Sequence, residues 1–208
     1  MKISDKDVLL VVDVQNDFCT GGALAVPDGE KVVPAINRIA QRFRNVVLTQ
    51  DWHPREHVSF ASNHPRKQPY DTIEAAYGTQ VLWPAHCIQG TPGADFHEAL
   101  EVPQASLLIR KGTHPDIDSY SAFYENDHRT PTGLLGYLRE RELRTVFAVG
   151  LAFDFCVRYS AEDARKAGLE VAVIEDACRG IDINGSVAAT HRSLKELSIP
   201  VVSIEAFF

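Results

Sequence analysis

Gly150-Leu151-Ala152-Phe153-Asp154-Phe155-Cys156-Val157 is the stretch whose reading decides the fold. An apolar run from Thr145 to Val149 leads into Gly150, and an amphipathic segment from Cys156 to Ala167 follows. The eight residues therefore read as the turn from a buried strand into a helix. Cys156 then sits at a helix N-terminus, where unpaired backbone N–H groups and the positive end of the macrodipole favour a thiolate. Amides placed there also suit a developing oxyanion. A lone cysteine in such a turn is more often just a small buried apolar residue; the rest of the chain decides between the two readings.

Outward from that turn, the same strand-to-helix grammar repeats. Val8–Val12, Val46–Gln50, Ala105–Arg110, Thr145–Val149, Glu170–Ile174 and Pro200–Ile204 are short apolar runs typical of strands covered on both faces. Between them lie helical stretches at Glu30–Arg44, at about Thr132–Glu142, after Cys156, and around Asn184–Leu197. Within the first, Val33, Ile36, Ile39, Ala40 and Phe43 share a face, and Pro34 falls early, where a helix tolerates it. Alternating βα units imply a parallel sheet with helices on both sides. The expectation is a three-layer α/β/α fold with a mainly parallel six-stranded sheet of the Rossmann type. The chain, 1–208, is read as one domain. Its irregular part is a Pro-, His- and Gly-rich excursion from Trp52 to Pro103, whose Phe60, Tyr70, Tyr77 and Trp83 argue for an ordered cover over a site.

Composition narrows the function. With 208 residues, 45% of them hydrophobic, the chain can bury a core without disulfides, and four cysteines make no disulfide framework. No signal peptide and no apolar run of membrane-spanning length is present, so a soluble, reducing, cytoplasmic setting is expected. A formal net charge of −7 with no basic stripe excludes nucleic acid and anionic membranes as partners. A small-molecule substrate is expected, and a homo-oligomer stays open.

The unusual residues fall where an open α/β sheet places its ligands, beyond the carboxyl ends of the strands. Asp13, Asp51, Lys111 and Cys156 each follow a strand directly or by a short turn. Each alone has an ordinary alternative as a cap, a turn acid, a surface lysine or a core thiol. Together they suit attack on an acyl carbon, with Cys156 as nucleophile, Lys111 lowering its pKa, and Asp13 moving the proton from thiol to leaving amine. An amide with ammonia as leaving group fits best. A second group, Asp51-x-His53 with His86, offers one carboxylate and two imidazoles for one divalent metal ion; Zn²⁺, Fe²⁺ and Mn²⁺ are all compatible. His57 is an outlier to that set, and His64, His97, His114, His128 and His191 read as solvated.

Val12-Asp13-Val14-Gln15-Asn16-Asp17-Phe18, Thr49-Gln50-Asp51-Trp52-His53-Pro54, Leu82-Trp83-Pro84-Ala85-His86-Cys87-Ile88-Gln89-Gly90, Lys111-Gly112 and Asp118-Ser119-Tyr120-Ser121-Ala122-Phe123 carry a resemblance. In order and over nearly the whole chain, they resemble the nicotinamidase branch of the isochorismatase-like cysteine hydrolases. The resemblance implies hydrolysis of nicotinamide, with pyrazinamide as a related substrate, to the acid and ammonia, a step of NAD salvage. It implies a triad of Asp13, Lys111 and Cys156 working through a thioester. Metal ligands would be Asp51, His53 and His86, with zinc the leading ion, and the oxyanion hole would come from the backbone of Ala152 and Cys156, with a cis peptide before Ala152. Phe18 and Trp83 would flank the substrate, Tyr120 would lie near the same pocket, and His57 would stand behind the ligands. Phe153, Phe155 and Leu151 depart from the usual pattern and put the packing of the turn in question. Cys19, Cys87 and Cys178 have no partner that argues for catalysis.

Three rivals remain: a metallohydrolase whose nucleophile is a metal-bound water and whose Cys156 is structural, a sister cysteine hydrolase of another small amide or a vinyl ether, and a silent binder on the same fold.

Overall fold

The computed structural model of the chain describes residues 1–208. Strand β1, Asp7–Val12, is buried at every position and pairs in parallel with β2, Asn45–Asp51, on one side. A tight turn at Gly29–Lys31 and helix α1, Val32–Ala40, connect the two. The helix is shorter than the Glu30–Arg44 periodicity suggests, because the chain leaves it by turns that close on Ile39 and Ala40 while still burying Phe43. After β2 the chain makes its excursion, in which a small antiparallel hairpin forms, β3 Thr72–Ala75 with β4 Gly78–Val81. Strand β5, Ala105–Lys111, returns to the sheet beside β2.

Helix α2, Leu134–Glu140, leads to β6, Thr145–Leu151, which pairs with the other side of β1. Helix α3, Arg158–Lys166, then β7, Glu170–Arg179, helix α4, Ser186–Glu196, and the two-residue β8, Val201–Val202, complete the order. The six strands stand as β5-β2-β1-β6-β7-β8, and every pairing is parallel. Winding reverses between β1 and β6, which opens a crevice at their carboxyl ends.

Alternation along the strands builds two cores. Leu9 and Val11 face α1 and the closing turn that carries Ile204 and Phe207; Val8, Leu10 and Val12 face α2, α3 and α4 through Leu134, Leu138, Val157, Ala161 and Leu194. Two strand ends differ from the sequence reading. Strand β7 runs on past Ile174 to Arg179 across an irregularity opposite Ala148–Gly150, where Glu175 and Asp176 turn out to solvent. The last strand stops at Val202, because Asp176 accepts hydrogen bonds from Ser203 Oγ at 2.7 Å and Ile204 N at 2.8 Å and draws the chain into its closing helical turn.

Gly150 is required where β6 passes β1. Its φ is +114°, and a Cβ there would lie 2.1 Å from Val12 O. Gly150→Ala is expected to destabilise the protein by about 2 kcal/mol or more. Gly136→Ala, in α2 with open space at the Cβ position, is expected to stabilise it by about 0.5–1 kcal/mol. Denaturant midpoints of the two variants against wild type check both signs.

Candidate active site

Four neighbouring strands deliver four reactive side chains to the crevice. Lys111 ends β5, Asp51 ends β2, Asp13 follows β1 with a left-handed φ of 47°, and Cys156 follows β6. The long lysine stem spans β2 and carries the amine to β1 and beyond. Lys111 Nζ lies 2.9 Å from Asp13 Oδ2 and 3.4 Å from Cys156 Sγ, donates to Ser119 O at 2.9 Å, and pairs with Asp51 Oδ1. Lys111 and Asp13 have no solvent exposure at all. Thr49 Oγ1 donates to Asp13 Oδ1 at 2.6 Å, and Gln15 clamps the Asp51 backbone through both its amide groups. Reactive atoms of Asp13, Asp51 and Cys156 lie within 4.8 Å of one another.

Charge in this cluster follows from burial and from the lysine. Burial alone would neutralise Lys111, but Asp13 and Asp51 reverse that and hold the ammonium well above its ordinary pKa. Burial likewise works against Asp51, yet Lys111 keeps its carboxyl well below the usual carboxylate range. Asp13 comes out the other way: burial pushes it up, and Lys111 offsets this only in part. The expected thiolate is corrected here. Burial pushes the Cys156 thiol well above its ordinary value, Asp13 and Asp51 add to the rise, and Lys111 does not overcome them. The resting nucleophile is a thiol beside a carboxylate of raised basicity.

The turn that carries Cys156 also differs from the simple helix start. Residues Phe153–Val157 form a π-helical turn ahead of α3, closed by Val157 N donating to Ala152 O at 3.1 Å, with Phe155 N donating to the same oxygen. The Leu151–Ala152 peptide is cis. Asp154, unremarked in the sequence reading, is buried and pins this turn to the segment before α4. Its carboxylate accepts from Ile181 N at 3.0 Å, Asp182 N at 2.8 Å and Ser186 Oγ at 2.5 Å. An acid inside an otherwise apolar run was the signal, since a buried charge must find partners.

Asp51 has a second oxygen, and the imidazoles meet it. His53 Nδ1 donates to Gly112 O at 2.9 Å and His86 Nδ1 to Pro84 O at 2.8 Å, because a carbonyl can only accept. Their Nε2 atoms face the same carboxylate oxygen, 3.5 and 3.7 Å from Asp51 Oδ2. All three side chains are buried, and their ligand atoms fall within 4.8 Å of one another. Two tautomer-fixed imidazoles and one carboxylate on a single point are a donor set suited to a divalent cation. Gly112 is essential to it, since a Cβ there would meet the His53 ring at 2.2 Å.

His57 stands behind His53, ring centroids 4.3 Å apart, with Nδ1 at 2.7 Å from Ser59 Oγ and Nε2 at 3.2 Å from Ile117 O. Burial pushes it down to about 4, so it is neutral at neutral pH. His114, His128 and His191 are exposed, but His64 and His97 are half-buried, and His64 Nε2 is 2.7 Å from Val58 O; the expectation of solvent fails for these two.

Aromatic walls close the crevice. Phe18, Trp83 and Tyr120 surround a narrow cavity with Leu24, Phe155 and Ile181, and Cys156, Asp51, His53 and His86 open into it. Phe155, which departs from the family pattern, is one of these walls: its ring meets Trp83 edge-on at 4.9 Å and Tyr120 at 5.7 Å. Leu24, Phe155 and Ile181 carry no chemistry that singles them out in a sequence. Cys19, Cys87 and Cys178 are buried and unpaired.

Comparison with known proteins agrees with this geometry. The chain matches the isochorismatase domain over residues 7–206. It is 57% identical to the nicotinamidase of Acinetobacter baylyi over 187 residues, 90% of this chain and 87% of that protein. A nicotinamidase/pyrazinamidase structure from Acinetobacter baumanii matches with a TM-score of 0.97 at 55% identity, covering 99% of each chain. The pyrazinamidase of Pyrococcus horikoshii in complex with zinc matches with a TM-score of 0.79 at 34% identity, covering 95% of this chain and 99% of that one. By the domain match and the extent of these likenesses, the chain belongs to the isochorismatase family, in the branch that holds the nicotinamidases.

Proposed function

We propose that this protein hydrolyses nicotinamide to nicotinate and ammonia, returning the ring to NAD synthesis, through a thioester on Cys156. The observation that carries the mechanism is the buried Lys111 ammonium, which touches Asp13, Asp51 and the Cys156 sulfur at once. The whole chain, 1–208, serves as one hydrolase domain, with residues 52–103 folded over the site and contributing His53, Trp83 and His86 to it. Pyrazinamide fits the same description as a second substrate.

Asp13, its basicity raised by burial, takes the proton from the Cys156 thiol as the sulfur attacks the amide carbon. Lys111 stays charged and stabilises the anion that moves between sulfur and carboxylate. The carbonyl oxygen, now negative, is received by the Ala152 and Cys156 amides. Asp13 then returns its proton to the amide nitrogen, the C–N bond breaks, and ammonia leaves. Water attacks the thioester with Asp13 as base, nicotinate departs, and the thiol is restored. Phe18, Trp83 and Tyr120 hold the ring while this happens.

Asp51, His53 and His86 would hold one divalent ion, zinc first among the candidates, with iron and manganese suited to the same donors. When bound, such an ion supplies a Lewis acid that anchors the ring nitrogen and fixes the carboxamide relative to Cys156. The zinc complex of the Pyrococcus relative supports the ion's presence. Four unpaired cysteines support a reducing cytoplasmic setting.

Ammonia release from nicotinamide tests the reading. Cys156→Ala is expected to lower kcat by roughly 10³-fold or more, and chelation to reduce wild-type turnover, which added metal restores. A Cys156→Ala variant that keeps most activity while chelation abolishes it would instead establish a metal-bound water as nucleophile.

The pH profile gives a second check. Asp13 is a base only when ionised, so activity rises with pH through its pKa, and burial places that value above the ordinary carboxyl value of 3.8. The acid limb of kcat/KM is expected above the ordinary carboxylate range, and Asp13→Asn should lose activity at every pH. A limb at the ordinary value would count against Asp13 as the base.

A further inference from the structure

Thr49 stands two residues before Asp51 on β2, so the two side chains leave the strand on the same side. It is fully buried, and its hydroxyl meets Asp13 twice. Asp13 N donates to Thr49 Oγ1 at 3.2 Å, and Oγ1 donates to Asp13 Oδ1 at 2.6 Å. An amide nitrogen can only donate, so the hydroxyl oxygen accepts there and its own hydrogen is left for the carboxylate. One hydroxyl thus ties the Asp13 backbone, in its left-handed conformation, to the Asp13 side chain.

The other carboxylate oxygen is differently placed. Lys111 Nζ stands 2.9 Å from Asp13 Oδ2 as a charge, yet its three hydrogens have other acceptors in Asp51 Oδ1, Ser119 O and Cys156 Sγ. Asp13 Oδ2 is buried without a hydrogen bond. Since a carboxylate accepts at both oxygens and Oδ1 is already engaged, Oδ2 is the one free to take a further hydrogen. Asp13 and Cys156 present reactive atoms within 4.8 Å of each other.

We propose that Thr49 is a positioning residue: by holding Oδ1 it fixes the plane of the Asp13 carboxylate and reserves Oδ2 to carry the proton between Cys156 and the leaving amine. The proposal rests on the amidase reading of the same site. As the C–S bond forms, Oδ2 gains the hydrogen that Sγ loses, and as the C–N bond breaks it passes that hydrogen to the nitrogen. Oδ1 keeps its bond to Thr49 throughout. Thr49 does not line the cavity and acts through Asp13.

Three variants of the metal-loaded enzyme test it. Thr49→Val keeps the shape without the hydroxyl and is expected to lower kcat for nicotinamide by roughly ten- to a hundred-fold, with KM, and nicotinate binding in calorimetry, within about two-fold of wild type. Alkylation of Cys156 by iodoacetamide, followed by mass analysis of its peptide, should slow by roughly ten-fold. Thr49→Ser restores the hydroxyl and should recover most of both rates. Should Thr49→Val fail to fold, Thr49→Ala against Thr49→Ser makes the same comparison, since those two differ by the hydroxyl alone. A serine variant as slow as the variant without a hydroxyl would make Thr49 a packing residue and overturn the proposal. So would a loss that falls on KM, alkylation no slower than in wild type, or a lowered metal content, which would place the effect on Asp51. Alkylation needs no amide substrate and so separates the two levels: absence of ammonia release by wild type overturns the amidase reading, while the alkylation rates still decide the role of Thr49.

Discussion

One ammonium group governs this site. Lys111 is withdrawn completely from water, and a buried charge of that kind is tolerated only with close counter-charges and satisfied donors. Asp13 and Asp51 provide the charges and Ser119 the carbonyl, and these three partners come from different parts of the chain. The sheet order β5-β2-β1-β6 is what brings them together, because each strand ends at the same edge and neighbouring strands in that order supply Lys111, Asp51, Asp13 and Cys156. Moving β5, β2 or β1 would leave an unpaired charge in the core, so the fold and the constellation constrain each other.

The same ammonium divides the work between two carboxylates. Asp51 is ionised by Lys111 and turns its other oxygen toward His53 and His86, whereas Asp13, deeper and less compensated, is left basic beside the thiol. Two acids of identical chemistry thus acquire different tasks from their surroundings. The imidazoles are prepared in a comparable way, by backbone carbonyls of Gly112 and Pro84 that fix their tautomers. Gly112 directly follows Lys111, so the end of β5 sets both the ammonium and the orientation of His53.

The parts legible in the sequence were those with local causes. Continuous β-branched runs such as Val8–Val12 can only be strands buried on both faces, and reactive residues directly after them fall on one sheet edge whatever the details of the loops. Asp13, Asp51, Lys111 and Cys156 were readable for that reason. What escaped depends on partners distant in the chain. Gln15 matters through backbone groups of Asp51, and nothing in its own neighbourhood announces this, while Asp154 shows only as an acid in an apolar run, whose partners at Ile181–Asp182 lie far along the chain. The hairpin β3–β4 is too short to leave a periodic trace, and the extension of β7 is masked by Glu175 and Asp176 turning outward. The charge state of Cys156 was misjudged because a helix terminus and a nearby lysine were visible in the sequence, whereas complete burial and two opposing carboxylates were not.

The most direct test of the central claim is acid quenching of the enzyme during turnover of nicotinamide, followed by mass analysis of the peptide that contains Cys156. The account predicts a fraction of that peptide heavier by one nicotinoyl group, lost on treatment with hydroxylamine. Sustained turnover with the Cys156 peptide unmodified at every quench time, and with the Cys156→Ala protein still active, would contradict it.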